Sequence, residues 1–150
     1  MYFTRFLVVS LLCLVLVQGT AAAAANLEFS RALGQGYAEI AKFAVAKLHD
    51  QSGQSYFQNK SDRAQAHYAV DPEWPTNWTL APALQQAMAK ERAILVTALS
   101  RMDAGADPKM EAIAQVNFDC WIALSSIASL QRESARCRDA FHAAVDQLRP

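Results

Sequence analysis

The 150-residue chain has no excess of charge of either sign: 14 Lys and Arg stand against 14 Asp and Glu. The two signs are interspersed, as on a solvated face, so neither a nucleic-acid surface nor a polybasic membrane anchor is expected. Glycine and proline are sparse, five of each, which leaves long uninterrupted stretches between breakers. No β-type alternation runs anywhere after residue 25. That excludes a sheet and predicts an all-α protein of about five helices in an antiparallel bundle. The phosphate-binding loop and the dinucleotide fingerprint are both absent. The three histidines, His49, His67 and His142, fall on different predicted helices without ligand spacing, so no metal site and no cofactor is expected. His49 and His67 read as helix-end or surface residues. Scattered serines and isolated histidines make no nucleophile with its base, so no catalytic residue is assigned and the chain reads as a non-enzyme.

Cysteine is scarce as well. Cys13 lies in an N-terminal segment, residues 1–25, that reads as a secretory signal: Arg5 supplies the positive start, Phe6 to Val17 is apolar apart from Ser10, and Ala21 to Ala25 offer small-residue cleavage sites. The apolar run is shorter than the ~20 residues of a membrane span, so no span is expected after cleavage. No small residue stands directly before Cys13, which argues against lipid attachment. Residues 26–150 then form a single helical domain, periplasmic or secreted.

Helical spacing organises this domain. From Asn26 to Asp50, Leu33, Tyr37, Ile40, Ala44 and Leu48 fall on one stripe, with Gly34 and Gly36 delaying firm helix to about Tyr37. Gln51 to Gln54 reads as a connector. Ser55 to Gln58 has capping-box form and opens a second helix reaching about Ala69. Val70 to Ala81, with Pro72, Pro75, Trp74 and Trp78, reads as an ordered strap packed over the helices. Pro82 starts a third helix with Leu84, Met88, Leu95, Leu99 and Met102 on one face, ended by Gly105. Asp107-Pro108 caps a fourth, in which Ile113, Val116, Cys120, Leu124 and Ile127 share a stripe. Cys137, Phe141, Ala144, Val145 and Leu148 mark the last.

The two remaining cysteines constrain this arrangement. In one continuous helix Cys120 and Cys137 would lie roughly 25 Å apart, whereas a disulfide needs Cα atoms about 4.4–6.8 Å apart. An even count in an exported chain favours a bond, which predicts a hairpin turning between about Ile127 and Glu133 with Cys120 facing Cys137. An intermolecular disulfide and a pair of buried free thiols are the alternatives. Asp119 and Arg138, each beside a cysteine, read as an exposed pair across this hairpin. Asp71 and Glu73 read as a solvated loop rather than a glycosidase pair, and Arg92 as a snorkelling stem at the core edge. Asn59-Lys60-Ser61 and Asn77-Trp78-Thr79 match the glycosylation sequon.

Several blocks resemble the N-terminal helical region of exported OmpA-family proteins of alphaproteobacteria. They are Tyr37-x-x-Ile40-Ala41, Phe57-x-x-Lys60, Val70-x-Pro72 leading into Trp78-x-Leu80, Arg92 before Leu95-Val96-x-Ala98-Leu99, Val116-x-Phe118-Asp119-Cys120-Trp121, and Cys137-Arg138-x-x-Phe141. The last two, at their mutual spacing, are the most specific. In that family this region precedes a peptidoglycan-binding domain; the sequence contains none, so peptidoglycan binding is not implied. Residues Ile122 to Ile127 are also less polar than the family's pattern. The resemblance implies a non-catalytic helical region in the envelope, associated with the outer membrane or, indirectly, the cell wall.

The functional expectation is a non-enzymatic helical module that binds another envelope protein, with Trp74, Trp78 and Tyr37 as the candidate surface. The alternative is a binder of a small ligand or cell-wall fragment using the Trp74/Trp78 strap.

Overall fold

The computed structural model describes residues 3–100 and 107–149, with side chains from Ala23 onward. Among these residues it is all-α, with five helices: α1 (Phe3–Phe43), α2 (Gln51–Gln65), α3 (Pro82–Leu99), α4 (Pro108–Ser125) and α5 (Gln131–Gln147). A π-helical turn, Ala44–Leu48, ends α1; short 3-10 turns occur at Pro75–Asn77 and Ala128–Leu130. The expected Met102 face residue and the Gly105 stop lie outside the described residues. No helix among the described residues is long and apolar enough to cross a membrane.

Helix α1 does not wait for Tyr37 but runs unbroken through Gly34 and Gly36. These glycines serve approach rather than termination. A Cβ on Gly34 would come within 2.7 Å of Gln65 Cγ on α2, and one on Gly36 within 2.5 Å of Val116 Cγ2 on α4. Ser61 uses the space to donate a hydrogen bond to the Gly34 carbonyl at 2.7 Å. The helix-propensity cost of two glycines, about 1 kcal/mol each, is offset by the close packing of α2 and α4 on α1.

Helix α2 is shifted four residues toward the N-terminus of its expected span. Asp50 caps it, accepting from the Gly53 amide at 2.9 Å, so the supposed connector is its first turn. Ser55 lies inside the helix and donates back to the Gln51 carbonyl. The end comes at Gln65 because His67 takes a left-handed conformation (φ 61°), with Tyr68 N–H bonding the Arg63 carbonyl and His67 N–H that of Ala64. That is a Schellman stop with histidine where glycine is usual. His49, at φ 51°, follows the π turn in the same conformation.

Helix α4 is buried on two faces and joins two cores. One contains Met88 and Leu95 of α3, Phe118, Trp121 and Ile122 of α4, and Phe141, Ala144 and Val145 of α5. Its centre is aromatic, with Phe118 and Phe141 ring centroids 5.4 Å apart and Trp121 and Phe141 6.0 Å apart. The other contains Leu33, Tyr37 and Ala41 of α1, Phe57 and Ala64 of α2, and Ala112 and Ala123 of α4. Trp78 packs against both. Two-sided burial explains why the single stripe assigned to α4 describes it only in part: Leu124 is buried and Val116 packs against the second core, but Ile113 is exposed, while Ala112, Ala114 and Ala123 off the stripe are buried.

The hairpin stands as the cysteine spacing requires. Helix α4 ends at Ser125, the chain turns through Ala128–Leu130, and α5 returns antiparallel. Cys120 and Cys137 are disulfide-bonded within the chain, Cα atoms 5.8 Å apart. Helix α3 joins the rest through Met88 and Leu95 in the first core and through the strap.

Candidate functional site

The strap is ordered because its own backbone and side chains are anchored from three helices. Arg92 of α3 donates through Nε and Nη2 to the Pro72 carbonyl at 3.3 and 3.2 Å, and through Nε to the Glu73 carbonyl at 3.0 Å. Gln115 of α4 donates to the Val70 carbonyl at 2.6 Å. Lys60 of α2 donates to the Asp71 carbonyl at 3.2 Å. Pro72, Glu73 and Pro75 are buried as a result. Arg92 is thus a clamp on the strap, not a stem at the core edge.

Beneath the strap lies a buried polar network. Lys60 Nζ reaches Glu73 Oε1 at 2.5 Å and Asp119 Oδ2 at 2.7 Å, and sits 4.8 Å from the centre of the Tyr37 ring. Tyr37 donates its hydroxyl proton to Asp119 Oδ2 at 2.5 Å and accepts from Gln115 at 3.0 Å. The Glu73 amide donates to Asp119 Oδ1 at 2.8 Å. Glu73 also receives Tyr56 O–H on Oε1 at 2.8 Å and Trp78 Nε1–H on Oε2 at 3.0 Å. The network therefore joins α1, α2, α4 and the strap at one point. All three Lys60 ammonium protons are used within the protein, and every carboxylate oxygen accepts at least one bond. With every ammonium proton used and every carboxylate oxygen engaged, the network's evident work is to hold these segments together.

Burial raises Asp119 to about 6, against the neighbouring Lys60 cation and with the Glu73 carboxylate adding to the rise. Burial likewise drives the Tyr37 hydroxyl well above its ordinary range, with Asp119 next in effect. Tyr56 is raised too, by burial and then by its bond to Glu73. In the first turn of α4, Glu111 is fully buried, and neither carboxylate oxygen has a partner among the described residues. Burial and then Asp107 lift it to about 7.

Two native pKa values above their unfolded ones set the sign of the pH dependence. The folded form holds the extra protons, so this stability is full below about pH 4 and is lost as pH rises through about 6 for Asp119 and about 7 for Glu111. The melting temperature is expected to be higher at pH 5 than at pH 8. Glu111→Gln should flatten the curve and raise stability at pH 8 by on the order of 2 kcal/mol. A thermal melt series of both proteins checks it; an unchanged slope in the variant would refute the assignment to Glu111.

The three residues expected to form one surface part company. Trp74 is 55 % exposed, its ring covered on one side by the Arg92 guanidinium at 3.5 Å from the centroid. Trp78 is part of the core instead, stacked near Phe57 (centroids 6.5 Å) and bonded to Glu73. Tyr37 is 0 % exposed and cannot touch a partner; its hydroxyl belongs to the network. Glu73, read as solvated, is buried, while Asp71 beside it is exposed. Asp119 does not pair with Arg138 across the hairpin: it is buried against Lys60, and Arg138 pairs with its neighbour Asp139 at 2.9 Å.

The roles of Lys60, Gln115 and Glu111 escaped the sequence reading, and Asp119 was placed on the surface. A signal was present: Glu111, Gln115 and Asp119 recur every four residues along a largely apolar helix, a polar line facing inward.

An open cleft of about 300 Å³ adjoins the strap, lined by Tyr56, Asn59, Lys60 and Arg63 of α2 and by Ala69–Trp74 and Asn77. A larger groove, about 750 Å³, runs between residues 23–33 of α1 and His67–Pro72, with Leu99 and Gln115 also at its walls. Among the described residues no group of three or more His, Cys, Asp or Glu could hold a metal ion. No family model, no curated protein and no solved structure matches this chain.

Proposed function

We propose that the protein is a non-enzymatic helical module of the cell envelope that acts by binding another envelope protein through the strap face. The observation that carries this reading is Trp74: a large aromatic side chain more than half exposed, yet held by Arg92, which is itself bonded to the strap backbone. Tryptophan is prominent among the residues that dominate binding energy at interfaces, and an anchor ordered in advance loses less entropy on association. The saturated network below explains why so irregular a segment can present such an anchor. Export, and the envelope as the compartment, rest on the N-terminal signal pattern and are consistent with the intrachain disulfide. The OmpA-family resemblance points the same way.

Photoreactive residues placed at Tyr56 and Asn77, on the rim of this face, test it in the native envelope. The expected result is a discrete adduct with an envelope protein that disappears when Trp74→Ala is added. No adduct at either position, or adducts indifferent to Trp74, would remove the support for this reading.

A further inference from the structure

We propose that the cleft between α2 and the strap is a binding site for a neutral saccharide, with a pyranose ring packed on Trp74 and its hydroxyls held by Asn59, Asp71 and Asn77. This goes beyond partner docking and takes from it only that the strap face is a recognition surface. Three observations converge on the cleft.

The first is aromatic. Tyr56 (46 % exposed) and Trp74 both line the cleft and both are fixed from behind, Tyr56 by its bond to Glu73 and Trp74 by Arg92. The apolar C–H face of a pyranose packs on such rigid ring surfaces at low entropic cost.

The second is polar. Among the described residues, the side chains of Asn59, Asp71 and Asn77 are exposed and make no hydrogen bond within the protein. Asn59 and Asn77 are the two sequon asparagines, far apart in sequence, and the fold brings both to this one cleft. Planar amide and carboxylate groups offer paired donors and acceptors at the spacing of neighbouring sugar hydroxyls. In contrast, Lys60 and Glu73 at the floor are saturated, so recognition falls to the rim groups.

The third is charge. The lining holds Lys60 and Arg63 against Asp71 and Glu73, a balance that favours neither a phosphorylated ligand nor a cation. The volume, about 300 Å³, is at the small end of ligand pockets, and the cleft is open to solvent. It therefore suits part of a chain, held weakly, and not an engulfed small molecule.

The test is a titration of the purified, disulfide-intact protein with maltotriose, cellotriose and the trimer of N-acetylglucosamine, followed by nitrogen-15 NMR of the indole and side-chain amide signals. The expected result is a saturable shift with at least one trisaccharide, largest at the Trp74 indole and the Asn59 and Asn77 amides and small at Trp121. Trp74→Ala or Asn77→Ala should then weaken binding by roughly tenfold or more, with the remaining spectrum showing an intact fold. Absence of any saturable shift with all three sugars, or shifts that survive both substitutions, overturns the proposal. Because the cross-linking at the same face is read separately, loss of sugar binding leaves partner docking standing, and the reverse also holds.

Discussion

Lys60→Met is expected to destabilise the protein by about 3–5 kcal/mol, the usual loss when one member of a buried ion pair is removed. The reason is specific to this network. Two carboxylates, Glu73 and Asp119, share the single cation, so its removal leaves both buried without a counter-charge. Asp119 also carries the Tyr37 hydroxyl and the Glu73 amide, which means the loss is felt in α1 and the strap as well as α2. Chemical denaturation of the wild type and variant measures it, and a loss below about 1 kcal/mol would show the network to be energetically idle. A compensating arm sharpens the result. Adding Asp119→Asn to Lys60→Met removes one stranded charge and is expected to recover part of the stability, because two neutral groups can replace an ion pair at little net cost. Should Lys60→Met fail to fold, the double variant still reports whether stranded charge is the cause.

The second large effect concerns the α4–α5 hairpin. Breaking the Cys120–Cys137 bond, by reduction or by Cys120→Ser with Cys137→Ser, opens a loop with a sequence separation of 17. The chain-entropy account puts the loss at about 3 kcal/mol, or roughly 10 °C in melting temperature for a domain of this size. The hairpin itself is expected to persist, since Phe118, Trp121 and Phe141 continue to pack across it. Melts with and without reductant, alongside the mass of the unreduced protein, check both points. A dimer that reverts to monomer on reduction, or an unchanged melting temperature, would contradict the intrachain staple.

Much of the fold could be read from residue spacing, and the reasons it could not all be read are physical. The α4–α5 hairpin followed from two cysteines and a geometric limit, without any glycine or proline to mark the turn. The caps at Asp107-Pro108 and Pro82 were local chemistry and stand where local chemistry puts them. Gly34 and Gly36 were misread because propensity treats glycine as a helix breaker, whereas here the space it leaves is filled by Gln65 and Val116 from distant parts of the chain. The α2 boundaries moved because Asp50 and His67 outcompeted the capping box at Ser55. The α4 stripe was incomplete, with Leu124 buried but Ile113 exposed, because one stripe cannot describe a helix buried on two sides.

By itself the amino-acid sequence determined the class, the approximate helix count and the order of the elements, and it favoured the pairing of Cys120 with Cys137 that the structure contains. These depend on short-range periodicity and on a covalent length. It also marked the strap between Val70 and Ala81 as an ordered element. Only the tertiary structure decided what that strap does. It turned Trp78 inward and Trp74 outward, moved Tyr37 from a supposed surface to the centre of a polar network, and drew Asn59, Asp71 and Asn77 to one cleft. Those outcomes depend on which side chains from four separate segments can satisfy one another's charges and hydrogen bonds once water is excluded. That condition is a property of the packed assembly, and no window of the sequence contains it.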